Sequence, residues 1–137
     1  MIRRDGDDGM ARRVLLVMKK RMLSDALIAQ TSNDTRFTFT TEPRYASAAL
    51  TAEACSPEIA VVEIPESGSW KSAEKCFAVC DMIRRQLPDC KLVIICSEDD
   101  NNSCQAAIQA KQEHRIDDFL FYDNSAHYLL SKLEALV

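Results

Sequence analysis

Glycine is scarce in this sequence, 3 in 137 residues, and there are only 4 prolines, 2 histidines and 1 tryptophan. Two of the glycines, Gly6 and Gly9, fall within the first eleven residues, MIRRDGDDGMA. The segment after the first apolar run reads MKKRMLS, with no glycine. That excludes a P-loop or a dinucleotide-binding fingerprint, both of which need glycines where backbone closes on phosphate. A flavin-phosphate loop would want small hydroxyl and glycine residues there, and these bulky residues do not supply them. No apolar run approaches the length of a membrane span. The arginines near the N-terminus are not followed by an apolar stretch, so no secretory signal is expected. The expected compartment is the reducing cytoplasm, where structural disulfides are rare. The six cysteines, at 55, 76, 80, 90, 96 and 104, are therefore read as thiols, mostly small core residues. Cys76 and Cys80 are spaced i, i+4, but no tight Cys-x₂-Cys pair is present and His114 and His127 lie on other elements. Core packing is the expectation there, with no metal and no cofactor. A net charge of −4 gives no electrostatic reason to expect direct nucleic-acid or membrane binding.

What is present is an ordinary globular composition, 47% hydrophobic and 28% charged, at the length of one domain. There is no internal repeat and no low-complexity linker. Residues 1–11 are expected to be a flexible tail, and residues 12–137 a single domain. Within it, short apolar runs alternate with helical periodicity. Val14–Met18 (VLLVM) reads as a strand buried on both faces, and Ile59–Ile64 (IAVVEI), Lys91–Cys96 (KLVIIC) and Asp118–Tyr122 (DFLFY) as the third, fourth and fifth strands. Phe37–Thr41 (FTFTT) alternates and reads as an edge strand with one wetter face.

Between them the pattern predicts a helix over Asp25–Ser32 with Ser24 as N-cap, and one over about 44–54 opened by Pro43. A long helix is expected over about 71–87. Its Ala73, Cys76, Phe77, Cys80, Ile83 and Leu87 form a buried stripe. A fourth is expected from Asn101 to about Arg115, with Cys104, Ala107, Ile108 and Lys111 turned inward. Asp123-Asn124-Ser125 would cap a fifth, packing Leu129, Leu130, Leu133 and Val137 on the sheet. Five strands alternating with five helices imply right-handed crossovers and a parallel sheet covered on both faces. The expected fold is α/β: a (βα)5 flavodoxin-like doubly wound parallel sheet in three layers.

In a flavodoxin-like strand order, 2-1-3-4-5, the ligand crevice opens at the carboxyl ends of strands one and three. Met18, Lys19 and Lys20 would stand there beside Glu63, Ile64 and Pro65. Ser97, Glu98 and Asp99 would follow strand four, and Tyr122 and Asp123 strand five.

At these positions the chain resembles the receiver domains of two-component response regulators, CheY-like proteins, over about residues 12–137. RRVLLVMKK is similar to the first receiver strand, which ends in two acidic residues. SPEIAVVEIP is similar to the third, which ends in the phosphorylated aspartate. KLVIICSED is similar to the fourth, ending in Thr or Ser, and RIDDFLFYD to the fifth, ending in Lys-Pro. The resemblance puts Met18 and Lys19 where the acidic pair would be and Glu63 at the phosphoacceptor. Ser97 keeps the hydroxyl, Tyr122 replaces the lysine and Asp123 the proline. Pro65 comes two residues after Glu63, where a receiver has its proline four after.

The resemblance implies a pseudo-receiver in a two-component-type phosphorelay, not an enzyme, acting by protein–protein interaction. Its partners would be a kinase, an effector domain or another regulator, or a second copy through the helix 4–strand 5–helix 5 face. No effector domain is expected before the end at Val137, so the chain is read as a stand-alone receiver or a piece of a longer regulator. The alternative is a small flavodoxin-like ligand-binding or enzyme domain with its site at the strand 1/strand 3 crevice.

Several residues have two readings. Glu63 is either a remnant acceptor paired with Lys19 or a solvated carboxylate at a strand end. Ser97 is either a switch hydroxyl or a loop cap. Phe119, three before Tyr122, is either the switching aromatic or plain core. Trp70 either caps the altered pocket or anchors a partner. Lys19-Lys20-Arg21 and Arg84-Arg85 read as ordinary solvated surface.

Overall fold

Five runs of apolar and β-branched residues form the strands: β1 Arg12–Val17, β2 Phe37–Thr41, β3 Ile59–Glu63, β4 Lys91–Cys96 and β5 Asp118–Phe121. The structure, a computed structural model, describes residues 11–19, 21–30, 36–121 and 126–136. All neighbouring strands pair in parallel, in the order β2-β1-β3-β4-β5. The connections are helices: α1 Arg21–Gln30, α2 Ala48–Cys55, α3 Ala73–Gln86, α4 Asn101–Gln112 and α5 Ala126–Leu136. This is the flavodoxin-like doubly wound sheet that the alternation of patterns predicts. β3, at the centre, is buried along its whole length, whereas β2 at the edge is fully buried only at Phe37.

The pleat sorts each strand onto two faces. Val14, Leu16 and Met18 join Ile59, Val61, Val93, Ile95 and Leu120 against Leu129, Leu130 and Leu133 of α5. Leu15 and Val17 join Ala60, Val62, Leu92 and Ile94 against α2, α3 and α4. All six cysteines are free thiols and lie in or against this second layer. The α3 stripe is as expected: Cys76, Phe77, Cys80 and Ile83 are buried.

Three local expectations are corrected. α1 begins at Arg21, so Ser24 lies inside the helix as a buried residue and is not its cap. Pro43 does not open α2. A 3₁₀ turn, Tyr45–Ser47, comes first because the Tyr45 side chain turns into the core, and the helix proper starts at Ala48. In α4 the inward residues are Ser103, Ala107 and Ala110, while Ile108 and Lys111 are exposed. Asp100 sets that phase: its carboxylate accepts the Ser103 N–H at 3.1 Å and the Ser103 hydroxyl at 2.7 Å.

Arg84 is also more than surface. It donates to the carbonyls of His114 and Arg115 and to Asp117 Oδ2 at 2.6 Å, and the same oxygen accepts the Leu92 N–H at 2.8 Å. The guanidinium thereby clamps the α4–β5 turn, where His114 has φ 64, to α3 and β4. The tail before Ala11 and the expected cap Asp123-Asn124-Ser125 lie outside the described residues. No helix among the described residues is long and apolar enough to cross a membrane.

Candidate functional site

The carboxyl ends of β1 and β3 meet in parallel register, with Val17 opposite Val62, and Glu63 lies opposite Ile95 of β4. Glu63 is buried, with 2% of its surface exposed. Its Oε1 accepts the backbone N–H of Lys19 at 2.6 Å. A buried carboxylate needs such donors, since burial without them carries a large desolvation cost. Glu63 is thus not the solvated strand-end carboxylate of one reading.

Lys19 meets Glu63 through its main chain. Among the described residues its ammonium makes no ion pair with that carboxylate. It lies instead beside Gly68, where a β-carbon would stand 3.3 Å from Nζ. Gly68 has φ +90, a conformation that L side chains rarely adopt, so the loop after β3 needs glycine there. Met18 packs into the core on the α5 face and offers no oxygen.

Tyr45 completes the arrangement. Its hydroxyl donates to the Glu63 carbonyl at 2.6 Å and lies 3.4 Å from Glu63 Oε1. Burial first, and then the Glu63 charge, push the phenol far above its ordinary value, so it remains a protonated donor. Trp70 stacks on Tyr45 with ring centroids 5.2 Å apart and planes at 23°. The Cys76 thiol reaches the carbonyls of Trp70 and Glu63, each at 3.6 Å. It is pushed up to about 12 by burial and then by Glu63. Ser72 caps α3 by accepting the Lys75 N–H, and the Lys75 ammonium donates to the Ser69 carbonyl at 3.0 Å. The loop after β3 is therefore folded down on Tyr45, with Trp70 packed inward rather than presented to a partner.

Among the described residues, one shallow depression is lined by Lys19, Glu63, Pro65, Glu66, Ser67 and Gly68, and another by Glu66, Lys71, Ser97 and Asp99–Asn102. Ser97 serves its own loop: its hydroxyl accepts the Asp99 N–H at 3.3 Å and its carbonyl the Asp100 N–H at 3.1 Å. Phe119 packs half-buried on the α2–α4 face, edge-on to Phe121 at 5.9 Å. Tyr122 and Asp123 lie outside the described residues. Among the described residues no group of three His, Cys, Asp or Glu side chains is arranged to hold a metal ion, and Cys76 and Cys80 are buried in the core.

Two participants escaped the sequence reading. Tyr45 follows Pro43 in what looks like a helix start, and nothing local marks it as a donor to Glu63. Glu42 is 5% exposed at the end of β2, where Thr51 Oγ1 donates to it at 2.6 Å and the Arg44 N–H at 2.9 Å. The Thr51 hydroxyl outweighs burial and holds the Glu42 carboxyl below its ordinary value. A polar Thr one helical turn into α2 was the available signal.

No family model and no curated protein sequence matches this chain. Solved structures do match its fold. A response regulator from Thermotoga maritima superposes with a TM-score of 0.72 at 17% identity, over 92% of this chain and 97% of that one. An orphan response regulator of H. pylori gives a TM-score of 0.72 at 16% identity, over 93% and 97%. A structure described as adenylate cyclase from Rhodopirellula baltica gives 0.76 at 20% identity, over 92% and 87%. The chain has the fold of response-regulator receiver domains.

Proposed function

We propose that this chain is an atypical receiver domain that acts by binding another protein, without Mg²⁺-dependent phosphorylation of an aspartate. The observation that carries the reading is the state of Glu63, buried at the acceptor position with Oε1 on the Lys19 N–H and beside the Tyr45 hydroxyl. Aligned to a receiver, the donor set does not fit Mg²⁺. That ion wants oxygen ligands in near-octahedral geometry, and Met18 and Lys19 bring a thioether and an ammonium. Phosphoryl transfer also depends on charge neutralisation and in-line positioning. The extra methylene of Glu shifts the carboxylate by roughly an ångström, enough to spoil alignment.

The partner surface in this reading is the α4–β5–α5 face, open to a kinase, an effector domain or a second copy. Asp118 ties that face together, with Lys111 Nζ at 3.1 Å and Lys132 Nζ at 3.5 Å. Burial opposes ionisation of Asp118, but the Phe119 N–H and the two lysines outweigh it and hold its carboxyl low. The charge pattern of the face is thereby fixed within one chain.

The single tryptophan stacks beside the acceptor position and reports on it. Trp70 fluorescence is expected to stay flat in a Mg²⁺ titration at constant ionic strength. A saturable change, absent with Na⁺, would show a working metal pocket and overturn the reading.

A further inference from the structure

Two of the six thiols meet at the carboxyl end of β4. Cys96 is the last residue of that strand and is 1% exposed. Cys104 stands near the start of α4 and is partly exposed. The Cys104 thiol reaches back to the Ser97 carbonyl at 3.4 Å and lies 3.7 Å from the Glu98 carbonyl, which places it over the residue next to Cys96. Burial, then the nearness of Cys104 and a side-chain hydrogen bond with it, push the Cys96 thiol up to about 12. Cys96 belongs to the buried layer on that face of the sheet, and Cys104 packs against the same layer.

We propose that Cys96 and Cys104 form an oxidation site, closing to a disulfide when a hydroperoxide reaches the β4–α4 loop. The exposed member reacts first. The Cys104 sulfur attacks the peroxide, the O–O bond breaks, and Cys104 becomes a sulfenic acid while the peroxide leaves as alcohol or water. The Cys96 sulfur then attacks the sulfenic sulfur, the S–O bond breaks, and the hydroxyl leaves as water with the Cys96 proton. Two thiols are oxidised and one peroxide is reduced. Burial keeps Cys96 inert toward the peroxide, so the first attack falls to Cys104.

Other thiols are placed less well. Cys76 and Cys80 are both buried. Cys55, partly exposed, and Cys90, buried, lie at the other end of the sheet, before β3 and β4 begin. Closure would enclose Ser97 and the α4 cap Asp100 in a stapled loop. Any effect on partner binding rests on the receiver reading above. The disulfide itself does not.

The test is stoichiometric hydrogen peroxide on the reduced full chain, followed by alkylation under denaturing conditions, intact mass and peptide mapping. The expected result is a mass lower by two hydrogens, loss of two alkylatable thiols and a cross-linked Cys96–Cys104 peptide. Cys104→Ser and Cys96→Ala should each abolish the cross-link, with folding checked by circular dichroism. Recovery of Cys104 as free thiol or sulfinic acid, or a disulfide mapping to another pair, would overturn the proposal. Neither outcome bears on the metal titration, so the two readings fail separately.

Discussion

The Tyr45 hydroxyl donates to the main-chain carbonyl of Glu63 at 2.6 Å, from a 3₁₀ turn eighteen residues earlier in the chain. This contact joins the β2–α2 connection to the end of the central strand. Trp70 then covers it from the loop after β3. The carboxyl end of β3 is thereby a packed junction of Tyr45, Trp70, Glu63 and Cys76, at the place where the receiver reading proposed above puts the reactive carboxylate.

Tyr45→Phe should therefore destabilise the fold by about 1–3 kcal/mol, because the buried Glu63 carbonyl loses its strong donor while the ring and its stacking remain. Urea unfolding followed by circular dichroism measures this as a lower midpoint at unchanged slope. An unchanged midpoint would mean that the hydroxyl contact contributes nothing.

Lys19→Met should shift stability by less than about 0.5 kcal/mol, since the Glu63 carboxylate is held by the Lys19 backbone N–H and not by its ammonium. The same urea measurement decides it. A loss well above that value would show that the ammonium neutralises Glu63 after all.

The Glu42 carboxyl is held below its ordinary value of 4.5 by the Thr51 hydroxyl and, against burial, by the Arg44 N–H. In the acid range the unfolded chain then binds the Glu42 proton more readily than the folded one. Its contribution to stability is full above about pH 4.5 and is lost as pH falls through the lower folded value. Glu42→Gln should flatten the decline in thermal midpoint between about pH 4.5 and 3 relative to the unaltered chain. A decline of the same steepness in both would remove Glu42 from the account.

The sheet was legible because strand burial is written in composition. Ile59–Glu63 and Lys91–Cys96 are short apolar runs with nowhere to go but a parallel interior. The α3 stripe was legible because its apolar residues keep helical spacing. The phase of α4 was not. Its inward residues are Ser103, Ala107 and Ala110, small enough to let the helix approach the sheet, and hydrophobicity alone favoured Ile108. Arg84 looked like solvated charge because its partners, His114, Arg115 and Asp117, are more than thirty positions away or nearly so.

The candidate site divides the same way. Met18, Lys19, Glu63 and Ser97 could be placed at strand ends from the pattern, since strand order fixes which ends converge. What each side chain does there was not visible. The Lys19–Glu63 contact is a main-chain hydrogen bond, and one-dimensional charge pairing suggests an ion pair. Ser97 turned to its own loop because Asp99 and Asp100 follow it closely enough to form a turn.

The central claim is that Glu63, buried and held from within, does not accept a phosphoryl group. The direct measurement is intact mass after incubating the full chain with acetyl phosphate and Mg²⁺, with an active receiver domain as control. The account predicts an unchanged mass while the control gains one phosphoryl group. A stable phosphoryl increment on this chain, mapping to Glu63 and lost in Glu63→Gln, would contradict it.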